Sequence, residues 1–162
     1  MKKINLTAII WLFLAAVSYG QTAQEFLTRG NQFYKNKQYT EAIASFSEAI
    51  KLSPTAPEPW YNRGQAYYFS GRLELAISDY TQTLKIKPAS VDALFQRGLA
   101  RNKKGDHEGS IADYTQAITL SPNESQLWYN RGIARSDKGD LDGSLADYNQ
   151  ALTLSPNYVK AL

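Results

Sequence analysis

His107 is the only histidine in the chain, and there is no cysteine. A histidine–cysteine dyad therefore cannot form, nor can a transition-metal site of imidazole and thiolate ligands, and no disulfide can staple the fold. Carboxylates flank the histidine in Asp106-His107-Glu108, and an equivalent group recurs at Asp140-Leu141-Asp142, each just after a glycine. Carboxylates at such turns read as helix caps rather than as an acid–base pair, and His107 reads as a surface residue. Two charge rows remain. Arg29, Arg63, Arg97 and Arg131 form one, and Asp79, Asp113 and Asp147 the other. They read first as solvated rows, each pair contributing about 0–1 kcal/mol. The other reading is ion pairs or hydrogen bonds between paired helices, or from one repeat to the next. A secreted hydrolase is therefore the last of three functional alternatives, and no metal or cofactor is expected.

The spacing of these residues points to the elements that must position them. Gly30, Gly64, Gly98 and Gly132 recur at one constant step, as do Pro54, Pro88, Pro122 and Pro156, and the aromatic series Phe46, Tyr80, Tyr114 and Tyr148 keeps the same step. Several series in one register define repeats at 23–56, 57–90, 91–124 and 125–158. Every recurrent glycine belongs to this period, which leaves none for a phosphate-binding loop.

Each repeat reads as two helices. Ala42, Ile43, Phe46, Ala49 and Ile50 form one apolar stripe of helical period, and similar stripes recur in the later repeats. The prolines end these second helices, lacking an amide hydrogen and disfavouring helical backbone just before them. Gly71, Gly105 and Gly139 suit the left-handed residue of the turn within each pair, whereas repeat one has Lys37-Gln38 there and a turn that is looser or one residue different is expected. Glycines inside the first helices cost about 1 kcal/mol each relative to alanine. Close approach to Ala42, Ala76, Ser110 and Ser144 of the second helix is the expected compensation.

Trp60, Gly64, Tyr67, Ala76, Tyr80 and Pro88, and again Trp128, Gly132, Ser144, Tyr148, Ala151 and Pro156, resemble the signature residues of tetratricopeptide repeats in type and spacing. The resemblance covers 23–158. Departures are mild: Thr83 replaces a small alanine, Arg101 and Arg135 an aromatic, Phe26 and Leu94 a tryptophan. The resemblance implies an all-α, right-handed superhelical solenoid of four antiparallel helix pairs, whose first helices line a concave groove for protein or peptide partners. On that analogy the groove residues are Leu27, Asn31 and Tyr34, then Glu58, Tyr61, Gln65, Tyr68 and Phe69, then Phe95, Asn102 and Lys103, and Tyr129 in the last repeat. The rings among them suit apolar side chains of a partner. Equally open is that Tyr61, Phe95 and Tyr129 only pack against the neighbouring repeat. One subtype of the family clamps a chaperone's C-terminal carboxylate with lysines and asparagines. Asn31 and Asn62 match that clamp, but Leu27, Asp92 and Gln96 stand where its other ligands are needed, and it is absent.

Met1-Lys2-Lys3, an apolar run from Ala8 to Val17, and small Ser18 and Gly20 have the layout of a secretory signal peptide of the bacterial kind, with cleavage expected after Gly20. The run is shorter than the roughly 20 residues that span a bilayer. The formal charge of +3 falls to +1 without Lys2 and Lys3, and no basic stripe marks a nucleic-acid interface. Val159-Lys160-Ala161-Leu162 repeats the opening of repeat three, as the start of a truncated fifth repeat. The expectation is an exported scaffold or adaptor, periplasmic, secreted or envelope-associated, that catalyses nothing and has no membrane span after cleavage. The alternative is an oligomerising module or a fragment of a larger envelope or sensor protein, with self-association through an open face of Ile133, Leu145, Tyr148 and Leu152.

Overall fold

The computed structural model describes residues 22–156, so the expected leader at 1–20 and the fifth-repeat start at 159–162 lie outside the described residues. Eight helices follow one another among the described residues: α1 Ala23–Lys35, α2 Tyr39–Leu52, α3 Pro57–Phe69, α4 Leu73–Ile86, α5 Val91–Lys104, α6 His107–Leu120, α7 Ser125–Lys138 and α8 Leu141–Leu154. Each odd-numbered helix pairs with the next, and each pair packs on the pair after it.

The helix starts are chemically specified. Thr22 caps α1 through a reciprocal box, its Oγ1 accepting from the Glu25 amide at 3.2 Å while its own amide donates to Glu25 Oε2 at 3.0 Å. Ser90 caps α5, and Asp106 and Asp140 cap α6 and α8 by accepting from Gly109 N and Gly143 N. Pro57 opens α3, where its missing amide hydrogen costs nothing. At the turns inside the pairs, Gly71, Gly105 and Gly139 take φ of 79°, 90° and 92°. Repeat one does not loosen its turn as expected. Lys37 adopts the same left-handed conformation at φ 59° and donates to Tyr34 O at 2.9 Å, as Gly105 does to Asn102 O.

The helical glycines accommodate a ring more than a small residue. An added Cβ at Gly30 would overlap the Phe46 ring, and one at Gly64 or Gly98 would lie 2.8 Å or 2.9 Å from Cε1 of Tyr80 or Tyr114. Ser110 does reach the first helix, donating to Gly98 O at 2.9 Å, but the second-helix ring is what needs the missing methyl group. Phe46, Tyr80 and Tyr114 are thereby wholly buried and form the spine of the core, joined by Ala42, Ala76, Leu94 and Ala117.

The charge rows are not solvated. Arg63, Arg97 and Arg131 each make two parallel hydrogen bonds to Asp79, Asp113 and Asp147 of the paired helix, at 2.6–3.0 Å, and these carboxylates are buried. The remaining guanidinium nitrogen reaches the preceding repeat, donating to Ser47, Thr81 and Thr115. Both halves of the second reading hold at once: the pair bonds within a repeat and the arginine bonds between repeats. Arg29 is the exception. Ser45 occupies the acidic position of its repeat, and Arg29 is exposed, with its guanidinium 5.7 Å from the Phe26 ring centroid. Tryptophan adds a second link between repeats, Trp60 and Trp128 donating through Nε1 to Pro54 O and Pro122 O. Phe26 and Leu94 have no indole to offer at that position.

Candidate protein-binding groove

The first helices of successive repeats touch one another, α1 with α3, α3 with α5 and α5 with α7, while successive second helices do not pack comparably. First helices therefore line the inner, concave side. Side chains bridge them directly: Asn62 Nδ2 donates to Asn31 Oδ1 at 2.9 Å, Lys103 Nζ lies 5.1 Å from the Tyr68 ring centroid, and Asn102 Nδ2 donates to Asp137 Oδ2 at 2.8 Å.

Leu27 is a correction to the expected lining. It is 5% exposed and belongs to the core with Ala42, Phe46 and Ala66, because it shares the register of Tyr61 and Phe95 but has a shorter side chain, which leaves only its edge on a recess with Gln24 and Glu58. Glu58, Phe69 and Lys103 are exposed, and Asn31, Tyr34, Tyr61, Gln65, Tyr68, Phe95, Asn102 and Tyr129 are half-buried. Tyr61, Phe95 and Tyr129 each rest on the ring of their own repeat's second helix, Tyr80, Tyr114 and Tyr148, at centroid distances of 5.6–5.9 Å. Tyr61 and Phe95 also pack against the core formed with the following repeat. These rings serve the scaffold while keeping part of their surface open.

Shallow recesses recur along this side. Pro57, Glu58 and Tyr61 with Thr83, Lys87, Ser90 and Asp92 enclose ≈ 170 Å³. One repeat on, Asp92 and Phe95 with Glu124 and Gln126 border a similar hollow. Burial pushes the Tyr61 phenol up to about 12, and the Asp92 carboxylate adds to the shift, against the hydrogen bond it shares with Gln96. Beneath it the Tyr80 hydroxyl is buried without a hydrogen-bond partner.

At the turn edge, Tyr34, Tyr39, Tyr68 and Phe69 form a contiguous ring cluster, with Tyr39 and Phe69 stacked at 6.0 Å and 15°. Tyr39 is an addition to the expected lining, since it opens a second helix and only first-helix positions point to the groove by analogy. The corresponding positions in repeats three and four carry no ring: Asn102, Lys103 and His107, then Ser136, Asp137 and Leu141. His107 Nδ1 lies 2.8 Å from Asn102 Oδ1, so His107 is half-buried and bonded rather than a bare surface residue. No group of three or more potential metal ligands occurs among the described residues, and no helix among them is long and apolar enough to cross a membrane.

Family models for the tetratricopeptide repeat match residues 30–71, 61–125 and 125–158. The chain belongs to the tetratricopeptide-repeat family. Its fold is the right-handed superhelical solenoid of antiparallel helix pairs, and it superposes on the structure of MamA with a TM-score of 0.82 at 22% identity, over 91% of this chain and 85% of that one. The repeat domain of Arabidopsis OM64 gives 0.67 at 27% identity, over 70% and 94%. The first repeat domain of Spaghetti (RPAP3), solved bound to the HSP90 peptide SRMEEVD, gives 0.67 at 25%, over 75% and 94%. No curated protein matches the chain. Membership in this family makes it a protein-interaction module.

Proposed function

We propose that this repeat protein is an exported, non-catalytic scaffold or adaptor that holds a segment of a partner protein along its concave side. The supporting observation is the row of half-buried rings, Tyr61, Phe95 and Tyr129, one per repeat, each backed by a second-helix ring, with recesses beside Tyr61 and Phe95. Rings fixed in this way offer large contact area with little side-chain entropy left to lose on binding. The known peptide complex of a similar domain makes a peptide-sized occupant reasonable, although the carboxylate clamp is missing here.

Capture from the exported fraction of the native cell tests this, comparing the parent with a Tyr61→Ala, Phe95→Ala, Tyr129→Ala variant whose helicity and melting are checked. A partner retained by the parent and lost by the variant supports the groove; identical captures sink it. Export is read separately from the mass of the native protein, which should begin at Gln21, and a chain retaining Met1 in the cytoplasm would remove that part of the proposal.

A second reading, an oligomerising structural module, draws on Leu141 and Leu145 of α8, which stand 69% and 60% exposed. Sedimentation equilibrium separates it, since a mass that rises with concentration and falls with Leu145→Ser would favour self-association.

A further inference from the structure

Four rings converge where the first two repeats meet the turn edge. Tyr34 meets Phe69 edge to face at 6.1 Å, Tyr39 stacks on it, and Tyr68 meets it edge to face at 5.4 Å. Phe69, at their centre, is nevertheless 55% exposed. The repeat architecture does not require rings here. In the register of the repeats, Tyr34 and Tyr68 correspond to Asn102 and Ser136, Phe69 to Lys103 and Asp137, and Tyr39 to His107 and Leu141. In the later repeats three of these positions form a hydrogen-bonded chain, His107 to Asn102 to Asp137, and Leu141 is left exposed, on helices of the same kind. The chain thus contains its own control: the later repeats form the same helix pairs with no ring at these positions, so the fold alone does not account for the aromatic cluster.

Three lysines accompany the rings, one of them in contact with a ring. Lys35 follows Tyr34, Lys37 sits in the turn joining Tyr34 to Tyr39, and Lys103 lies over Tyr68. None of the three has a carboxylate within ion-pair distance among the described residues, whereas Lys51, Lys104 and Lys138 are paired with Glu48, Glu74 and Glu108. An exposed aromatic centre accompanied by lysines without ion-pair partners complements a partner of opposite charge with a ring of its own.

We propose that the Tyr34, Tyr39, Tyr68 and Phe69 patch anchors an internal acidic segment of the partner, its aromatic side chain packing on Phe69 and its carboxylates meeting Lys35, Lys37 and Lys103. This rests on the groove reading and names the class of segment that the groove takes. It needs no free C-terminal carboxylate, because the ring contact supplies the anchor and side-chain carboxylates suffice to meet the lysines.

The test is fluorescence anisotropy of the full chain with a short, N-acetylated, C-amidated peptide of Asp and Glu around one Trp. Saturable binding is expected, weakening as salt screens the lysines. Replacing Trp by Ala in the peptide, or Phe69→Ser in the protein, should each weaken it about tenfold or more, the loss typical of a central anchor. A Lys35→Ser, Lys103→Ser protein should lose affinity and most of the salt dependence. Equal melting curves for the variants establish that folding is not what changed. The proposal is overturned if no binding saturates, if a peptide with Lys for its acids binds as well, or if Phe69→Ser is silent. It is also overturned if anionic phosphatidylglycerol vesicles bind in a Phe69-dependent way while the peptide does not. A captured partner lost by the Tyr61, Phe95 and Tyr129 variant but kept by Phe69→Ser leaves the groove standing and removes this anchor. A capture indifferent to all four rings removes both.

Discussion

Arg97 and Asp113 face each other inside the third helix pair, Nε to Oδ2 at 3.0 Å and Nη2 to Oδ1 at 2.6 Å, while Nη1 of the same arginine donates to Thr81 of the repeat before. One guanidinium thus fixes both the angle within a pair and the seating of that pair on its neighbour. Asp113 also accepts from Arg101 Nη1 at 2.8 Å, and Asp147 has the same second cation in Arg135. At the matching place in repeat two stands Tyr67, so Asp79 has Arg63 alone. Burial consequently pushes the Asp79 carboxyl up, against the pull of Arg63. Asp113→Asn should then cost about 3–5 kcal/mol, as loss of one partner from a buried ionic cluster does, and Asp79→Asn about 1–3 kcal/mol, nearer to the loss of a charged hydrogen bond. Urea unfolding of the two variants decides, and equal costs would refute the role given to Arg101.

Gly98→Ala sets helix propensity against packing. Alanine gains about 1 kcal/mol in a helix, but its methyl carbon would lie 2.9 Å from both Cε1 and Cζ of Tyr114, a ring only 1% exposed and held from several sides. Overpacking of that kind costs about 1–3 kcal/mol. A net loss of stability is expected by thermal unfolding, and a gain would mean that the ring moves aside freely.

Lys37→Gly should stabilise. At φ 59° a side chain crowds its own backbone by about 1–2 kcal/mol, while glycine's extra freedom in the unfolded chain returns about 0.5–1 kcal/mol of that. A net gain of about 0.5–1 kcal/mol corresponds to a rise of a few degrees in melting temperature for a domain of this size. Gly105→Lys should show the opposite sign.

Alkali should unfold the protein earlier than its charge suggests. Burial raises the phenols of Tyr34, Tyr61, Tyr80 and Tyr114 above their ordinary value of 10.0, Tyr61 to about 12. The unfolded chain loses these protons first, so stability is intact below pH 10.0 and falls as pH rises through the folded values. Tyrosinate absorbance and helical circular dichroism should therefore change together above that pH. Complete ionisation with helicity unchanged would contradict the burial of these rings.

Much of the fold was legible because the helical glycines, the prolines after the second helices and the second-helix aromatics share one period. The buried ion pairs were harder to read. Arg63 and Asp79 stand on either side of a turn, and nothing in their spacing fixes the rotation of one helix against the other, which decides whether they meet or face water. Leu27 went the other way, since it shares the register of Tyr61 and Phe95 but is too short to keep an open face and is buried. Tyr39 was missed because it opens a second helix, and only the side-chain geometry shows it joining Tyr34 and Phe69. Lys37 looked like a break in the turn pattern, yet the hydrogen bonds around it outweigh its dislike of positive φ.

The arginine link from each repeat to the serine or threonine of the one before has an evolutionary consequence. Ser47, Thr81 and Thr115 all present a hydroxyl to the next guanidinium, so the arginine part of the joint is interchangeable between repeats. Excising 57–90 as a block would bring Arg97 against Ser47 with the same donor and acceptor, and duplicating that block would create a junction of known chemistry. A gene encoding such a chain can lengthen or shorten by unequal recombination at these boundaries while keeping the same arginine joint, because repeats two and three each carry both its plug and its socket.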